Sequence, residues 1–378
     1  MARAGLGDGW ECLLANDNDA AKAECYRRHF NAGDELVVRD VASIKLHDLP
    51  GRADLAWASF PCQDLSLAGG KKGLAGARSG AFWPFWRLIE GLGKQNRAPR
   101  TIVLENVQGA VTSHGGQDLA AIVKALAKQD YRFSPMVINA ALFVPQSRPR
   151  LFIIGFHDTT AIPPQLISSA PVEGWSSESL AKVRNGLGPA ARARWVWLNP
   201  PQPKSRLSTL ARIIEDEPSG VVWHTPQQTQ RLLGMMTGRN REKVEAALRM
   251  KTRQVGAVYK RMRVEKDGAR RQRAEARFDG LAGCLRTPAG GSSRQIILIV
   301  ENGQARSRLI SPRETARLMG LPEDYQLPTR PNKAYHLTGD GVATPVVRWL
   351  AETILEPALM NGAEKLALAP AMAPGAMD

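Results

Sequence analysis

The sequence is poor in cysteine. Its four cysteines, Cys12, Cys25, Cys62 and Cys284, form no C-x-x-C pair. That spacing argues against a zinc site and a disulfide framework, and it fits a reducing compartment. No apolar run is long enough to cross a bilayer as a helix, and no apolar signal core follows the first residues. These absences give the expectation of a soluble cytoplasmic protein with no membrane association. Acid is also scarce: 36 Asp and Glu stand against 51 Lys and Arg, a net charge of +15 with a pI near 10.0. Such an excess suits a polyanionic partner, nucleic acid ahead of an acidic membrane. What is present suffices for a packed core. Hydrophobic residues make up 43% of the 378 residues and charged ones 23%, so wholesale disorder is not expected. The length leaves room for two domains.

The chain is organised around one apolar run, residues 53–60, which stops at Pro61-Cys62-Gln63. Its length and flanking Gly51 and Pro61 read as a buried strand. A glycine-rich, basic stretch follows, with Lys71, Lys72 and Arg78. Ligands of open α/β sheets bind beyond the carboxyl ends of strands, and nearby cations favour the thiolate, the nucleophilic form. A lone cysteine is more often a small buried hydrophobe. Two further stretches count against that reading. Thr101-Ile102-Val103-Leu104-Glu105-Asn106-Val107 is a second strand pattern, ending in a carboxylate, and Gln146-Ser147-Arg148-Pro149-Arg150 leads into an apolar strand over residues 151–156. A thiolate, an acid and two arginines at strand ends are the groups needed to attack, protonate and hold an electron-poor ring.

Pro61-Cys62-Gln63, Glu105-Asn106-Val107 and Gln146-Ser147-Arg148-Pro149-Arg150 come in the order of the core motifs of the DNA cytosine-5 methyltransferases, as do segments 311–322 and 339–347. From Met1 to about Pro357 the chain resembles that family, most weakly in the middle. The resemblance implies an α/β fold with a doubly wound, mostly parallel sheet and a smaller target-recognition domain. It implies DNA (cytosine-5-)-methyltransferase activity, S-adenosylmethionine as cofactor, double-stranded DNA as substrate, and a monomer that can serve beside a cognate restriction endonuclease. Cys62 is then the nucleophile, Glu105 the group at ring N3, and Arg148 and Arg150 orient base and thiolate. Asp17, Asn18, Asp40, Val41, Pro61, Phe82, Asp340 and Val342 would meet the cofactor. Gln63, Ser66, Ala68, Asn106 and Gln146 would face the DNA. Two positions depart from the family pattern: Asn18 stands where an aromatic ring is usual, and Asp340 where Asn is common. An RNA cytosine-5 methyltransferase and a non-catalytic DNA-binding remnant are the rival readings. A large basic central region argues for duplex DNA over RNA.

Several pieces have an ordinary structural reading of their own. Trp10 to Ala15 reads as a strand ending at Asn16-Asp17, followed by a helical pattern through Phe30; a carboxylate there suits a ribose diol but also a helix cap. Asp40-Val41 equally suits a strand-end turn. Residues 81–92 form an aromatic-rich helix and 117–128 an amphipathic one. After Phe156, prolines and glycines break the periodicity, and cations gather from 239 to 277. Their plain reading is a solvated helix face. The neighbouring run through Arg286, Ser292, Ser293 and Arg294 instead suits contacts to phosphates and base edges. Ser311-Pro312-Arg313-Glu314 is a capping-box helix start. The expected domains are 1–157 (catalytic and cofactor-binding), 158–306 (target recognition) and 307–361 (return to the catalytic domain), with a disordered tail over 362–378. Family members carry a strand and a Phe-containing, glycine-rich loop ahead of the segment matching Ala2 to Gly9. The expectation is therefore a true start upstream of Met1, or a truncated form that binds S-adenosylmethionine weakly. Calorimetric titration beside an upstream-extended version tests it.

Overall fold

The computed structural model describes residues 1–60, 81–206, 208–265, 267–288 and 294–360. In chain order the elements used below are β1 (Ala15–Asp17), α1 (Ala20–Phe30), β2 (Leu36–Val38), β3 (Leu55–Ser59), α2 (Phe82–Lys94), β4 (Thr101–Val107), α3 (Gln117–Lys128), β5 (Tyr131–Asn139) and β6 (Pro149–His157). Then come α4 (Gly238–Arg249), β7 (Gln254–Val264), β8 (Arg270–Arg277), β9 (Ile296–Glu301), β10 (Gln304–Leu309), α5 (Pro312–Leu318), α6 (Pro331–Asp340) and α7 (Thr344–Leu350). The chain divides into two compact units. One comprises Met1–Val38, Asn139–Pro149 and Pro203–Val347; the other comprises Arg39–Ile138, Arg150–Gln202 and Arg348–Asp378.

The second unit holds a four-stranded sheet of order β3-β4-β6-β5. β3 and β4 run parallel, while β4 and β6 run antiparallel, so the sheet of this α/β fold is mixed. β4 is interior and buried along nearly its whole length. β3 ends the sheet and stays half-buried, and of its expected eight-residue run the five residues Leu55–Ser59 pair with β4. Helix α3 has the expected bounds. Leu119, Ile122, Val123 and Leu126 point into the core at 2% exposure or less, and each contributes about 1.5–3 kcal/mol by leaving water. The helix packs close to β6: a Cβ on Gly155 would stand 2.7 Å from Leu126 Cδ2. Trp175, Trp195 and Trp197 are buried in this unit, as expected.

The first unit carries the parallel pair β1–β2 and an antiparallel sheet of order β8-β7-β9-β10. The expected strand from Trp10 is confined to Ala15–Asp17, where, among the described residues, the parallel ladder to Leu36–Val38 runs. A hydrophobic core between the antiparallel sheet and α4 includes Leu232, Val244, Val258, Ala274 and Leu298. The start of α5 is a capping box: Ser311 Oγ accepts from Glu314 N, and the Glu314 carboxylate accepts from Ser311 N. Glu314 also receives both terminal nitrogens of Arg308, at 2.6 and 2.8 Å, and both side chains are fully buried.

Candidate active site

In the second unit, β4 delivers Glu105 to the end of the sheet where β3 also finishes. Ser59 lies directly opposite Glu105 in the parallel ladder. Glu105 is 5% exposed, and burying an ionised carboxylate demands a partner. Arg150 supplies it from β6, with Nε 3.2 Å from Glu105 Oε1; the backbone register places Arg150 across from Val107. Asn106, also buried, donates from Nδ2 to Phe60 O at 3.3 Å and accepts from Val107 N at 2.8 Å. It thereby ties the exit of β3 to the end of β4. Cys62 follows Ser59 by three residues. It lies outside the described residues, as do Pro61, Gln63, Ser66, Ala68 and the rest of the expected substrate loop. Phe82 opens α2 fully buried, with its ring against Phe60 and stacked on Trp86. Asp40 is exposed and caps the turn that begins at Val41 by accepting from Ala42 N.

In the first unit, the carboxyl end of β1 and the turn after α6 come together. Asp17 accepts from Asp19 N at 2.8 Å, while Asn18 is exposed. Lys22, on the first turn of α1, donates to Asp340 at 2.7 Å. Burial pulls the Lys22 ammonium down, but Asp340, with Asp17 and Asp19 behind it, outweighs that and raises its pKa. Lys22 was not singled out by sequence. Its partner is 318 residues away, and its only local sign is a cation beside three acids. Val342 is buried two residues beyond Asp340.

Gln146 and Arg148 serve the same unit in a different way. Gln146 is fully buried; it donates to Leu318 O at 2.8 Å and accepts from Leu285 N at 3.1 Å. Arg148 is 1% exposed. Its guanidinium donates to Leu285 O (3.0 Å), Gly339 O (2.8 Å) and Gly341 O (2.6 Å). Its backbone N–H is held by the Asn139 side chain at 2.9 Å, another residue with no mark in the sequence. The two side chains thus stitch the segment around Leu285 to the turn around Asp340. That approach is tight: a Cβ on Gly339 would lie 2.7 Å from Arg286 C and Thr287 N. Arg286 is exposed beside this junction and Arg294 is half-buried, while Ser292 and Ser293 lie outside the described residues.

Two comparisons define what this arrangement belongs to. Among solved structures, the fold is similar to a methyltransferase of Entamoeba histolytica, EhMeth (TM-score 0.56, 15% identity, covering 90% of this chain and 88% of that one). It is also similar to the Dnmt2 methyltransferase of S. pombe (TM-score 0.52, 16% identity, 92% and 91%). These likenesses fix the class, an α/β methyltransferase fold.

The sequence then gives the family. Residues 2–356 match the family described as C-5 cytosine-specific DNA methylase, and the chain belongs to it. It is 26% identical over 351 residues to the Type II methyltransferase M.NlaX of Neisseria lactamica, covering 91% of this chain and 88% of that protein. It is 25% identical over 347 residues to M.HhaI of Haemophilus parahaemolyticus, covering 92% and 88%. The family is S-adenosylmethionine-dependent. The first unit has donor chemistry that fits this cofactor: a strand-end carboxylate for a ribose diol, and in Lys22 and Asp340 one cation and one anion for a zwitterionic amino-acid end. Among the described residues, no helix is long and apolar enough to cross a membrane.

Proposed function

We propose that the chain methylates C5 of a cytosine in duplex DNA through a covalent adduct at Cys62. The observation that carries this reading is the buried Glu105–Arg150 pair at the end of the sheet where β3 gives out toward Cys62. Cytosine C5 is a poor nucleophile. Addition of the Cys62 thiolate to C6 pushes electrons toward C5 and makes it enamine-like. Glu105, once it carries a proton, donates it to N3 or shares it in a hydrogen bond, which lowers the cost of that charge, and recovers it as the Cys62–C6 bond breaks. Arg150 holds the Glu105 side chain in place. S-adenosylmethionine, when bound, supplies an electrophilic methyl group. C5 then loses its proton to a base, the Cys62–C6 bond breaks, and the thiolate is regenerated. The target ring is inaccessible inside a duplex, so it must be turned out of the stack.

Asp17, Asn18, Asp40, Val41, Pro61, Phe82, Asp340 and Val342 are the residues we assign to the cofactor, with Lys22 added as the partner of Asp340. Gln63, Ser66, Ala68 and Asn106 are assigned to the substrate side, with Arg286, Ser292, Ser293 and Arg294 on the recognition segment. Gln146 is assigned to the substrate side and Arg148, with Arg150, to orienting base and thiolate; Gln146 and Arg148 also brace that segment through bonds to its backbone. Residues 158–306 choose the sequence to be methylated. Likeness to Type II methyltransferases makes a cognate endonuclease the natural partner. The test is trapping on duplex DNA that carries 5-fluorocytosine, which cannot lose its C5 substituent as a proton. A stable adduct mapped to Cys62 by mass spectrometry supports the mechanism; methyl transfer with no adduct, or an adduct elsewhere, rejects it.

A further inference from the structure

The cations between residues 239 and 277 do not form a single helix face. Many of them stand on a β-ribbon. β7 pairs with β9 only over Gln254–Val258, whereas β7 and β8 pair on to Val264 and Arg270. Beyond Tyr259 the two strands therefore project as a ribbon with no third strand among the described residues. On one of its faces Arg261 lies directly opposite Arg273, and Arg263 directly opposite Arg271. Directly opposed like charges destabilise a ladder. Nearby acids offset this only in part: Glu275 serves both Arg261 and Arg263, Glu265 serves Arg273, and Asp267 serves Arg271. Half of the Arg263 and Arg271 side-chain surface remains in solvent.

The same face continues into an open pocket of about 510 Å³ at the root of the ribbon. Arg239, Lys243, Arg261, Arg277 and Arg286 line it, and Glu275 is the one acid among the lining residues. Arg239 and Arg286 make no ion pair among the described residues. Arg239 also sits in the first turn of α4, which holds no acid there and has no side-chain cap. A cation at that end of a helix opposes the helix dipole. Ribbon and pocket thus accept unfavourable charge at several points of one continuous surface.

We infer that this arginine face is a grip on the DNA phosphate backbone: it supplies affinity independent of base sequence and adjoins, at Arg286, the recognition segment to which it leaves base reading. The inference rests on duplex DNA being the substrate. A row of arginines at strand spacing complements a row of phosphates, and contacts of this kind position a protein without reading sequence. Removing one arginine–phosphate interaction lowers the salt dependence of binding by about 0.9 in the slope of log K against log salt.

The test is fluorescence anisotropy of the full chain with labelled duplexes over a salt series, for wild type, Arg239→Gln, Arg271→Gln and the double variant. Each single change is expected to reduce the slope by about 0.9 and the double by about 1.8. The loss of affinity should be equal on a methylated-site duplex and on a scrambled one. Arg271→Gln removes one of two opposed like charges together with the partner of Asp267, and a cooperative melt of each variant establishes that it is folded. Wild-type slopes in the variants, or a loss confined to one DNA sequence, would overturn the grip. Those results leave methyl transfer intact. Absence of both duplex binding and methyl transfer in the wild type would instead reject the function on which the grip rests.

Discussion

Replacing Glu105 by Gln separates what this residue does for the fold from what it does for the reaction. The carboxylate is nearly buried and its oxygen is 3.2 Å from Arg150 Nε. A hydrogen bond to a charged group in such a place contributes about 1.5–3 kcal/mol. The amide still accepts a hydrogen bond but loses the charge that attracts Arg150, so Glu105→Gln should destabilise the second unit by about 1–3 kcal/mol. As an acid at N3, the same group should supply about 100- to 10,000-fold in rate. Adding Arg150→Gln removes the other half of the pair. The double variant should therefore recover part of the lost stability, a positive coupling in a thermal-melt cycle, while methyl transfer stays low. The assay pairs melting curves with incorporation of labelled methyl groups into duplex DNA. Full activity in Glu105→Gln would refute the assignment. Activity returning in step with stability in the double variant would show that Glu105 is only a structural partner of Arg150.

Cys62→Ser should abolish turnover while duplex binding, measured by anisotropy, persists; retained turnover would remove the nucleophile. Exchanging residues 158–306 for those of a relative should move the methylated sequence, and bisulfite mapping that shows specificity unmoved would return recognition to the rest of the chain. Gly155→Ala forces a methyl group to within 2.7 Å of Leu126 and should cost about 1–3 kcal/mol by overpacking, read as a lower melting temperature; an unchanged melt would mean that the contact relaxes freely.

The parts of the fold that were legible are those with a period or a local signature. Leu119, Ile122, Val123 and Leu126 announce α3, and an unbroken apolar run announces β4. Ser311 and Glu314 show the start of α5 because a capping box is contained within four residues. What escaped depends on partners distant in the chain. Arg148 looks like any arginine of a short motif, and only folding reveals that it binds carbonyls 137 and 191 residues away. Lys22 and Asp340 are joined in the same way. The β7–β8 ribbon was hidden for a different reason: its outer half alternates arginine with Met262 and Val264, both exposed, so no buried face marks it as sheet. At the candidate site, Glu105 and Arg150 were visible as strand-end residues, but their pairing needed the β4–β6 register.

The most direct test of the central claim is bisulfite sequencing of DNA from cells expressing this chain, beside cells expressing Cys62→Ser. The account predicts protected cytosines in one recurring sequence context with the first and none with the second. Protection that survives in Cys62→Ser, or no protected cytosine with either chain, would contradict it.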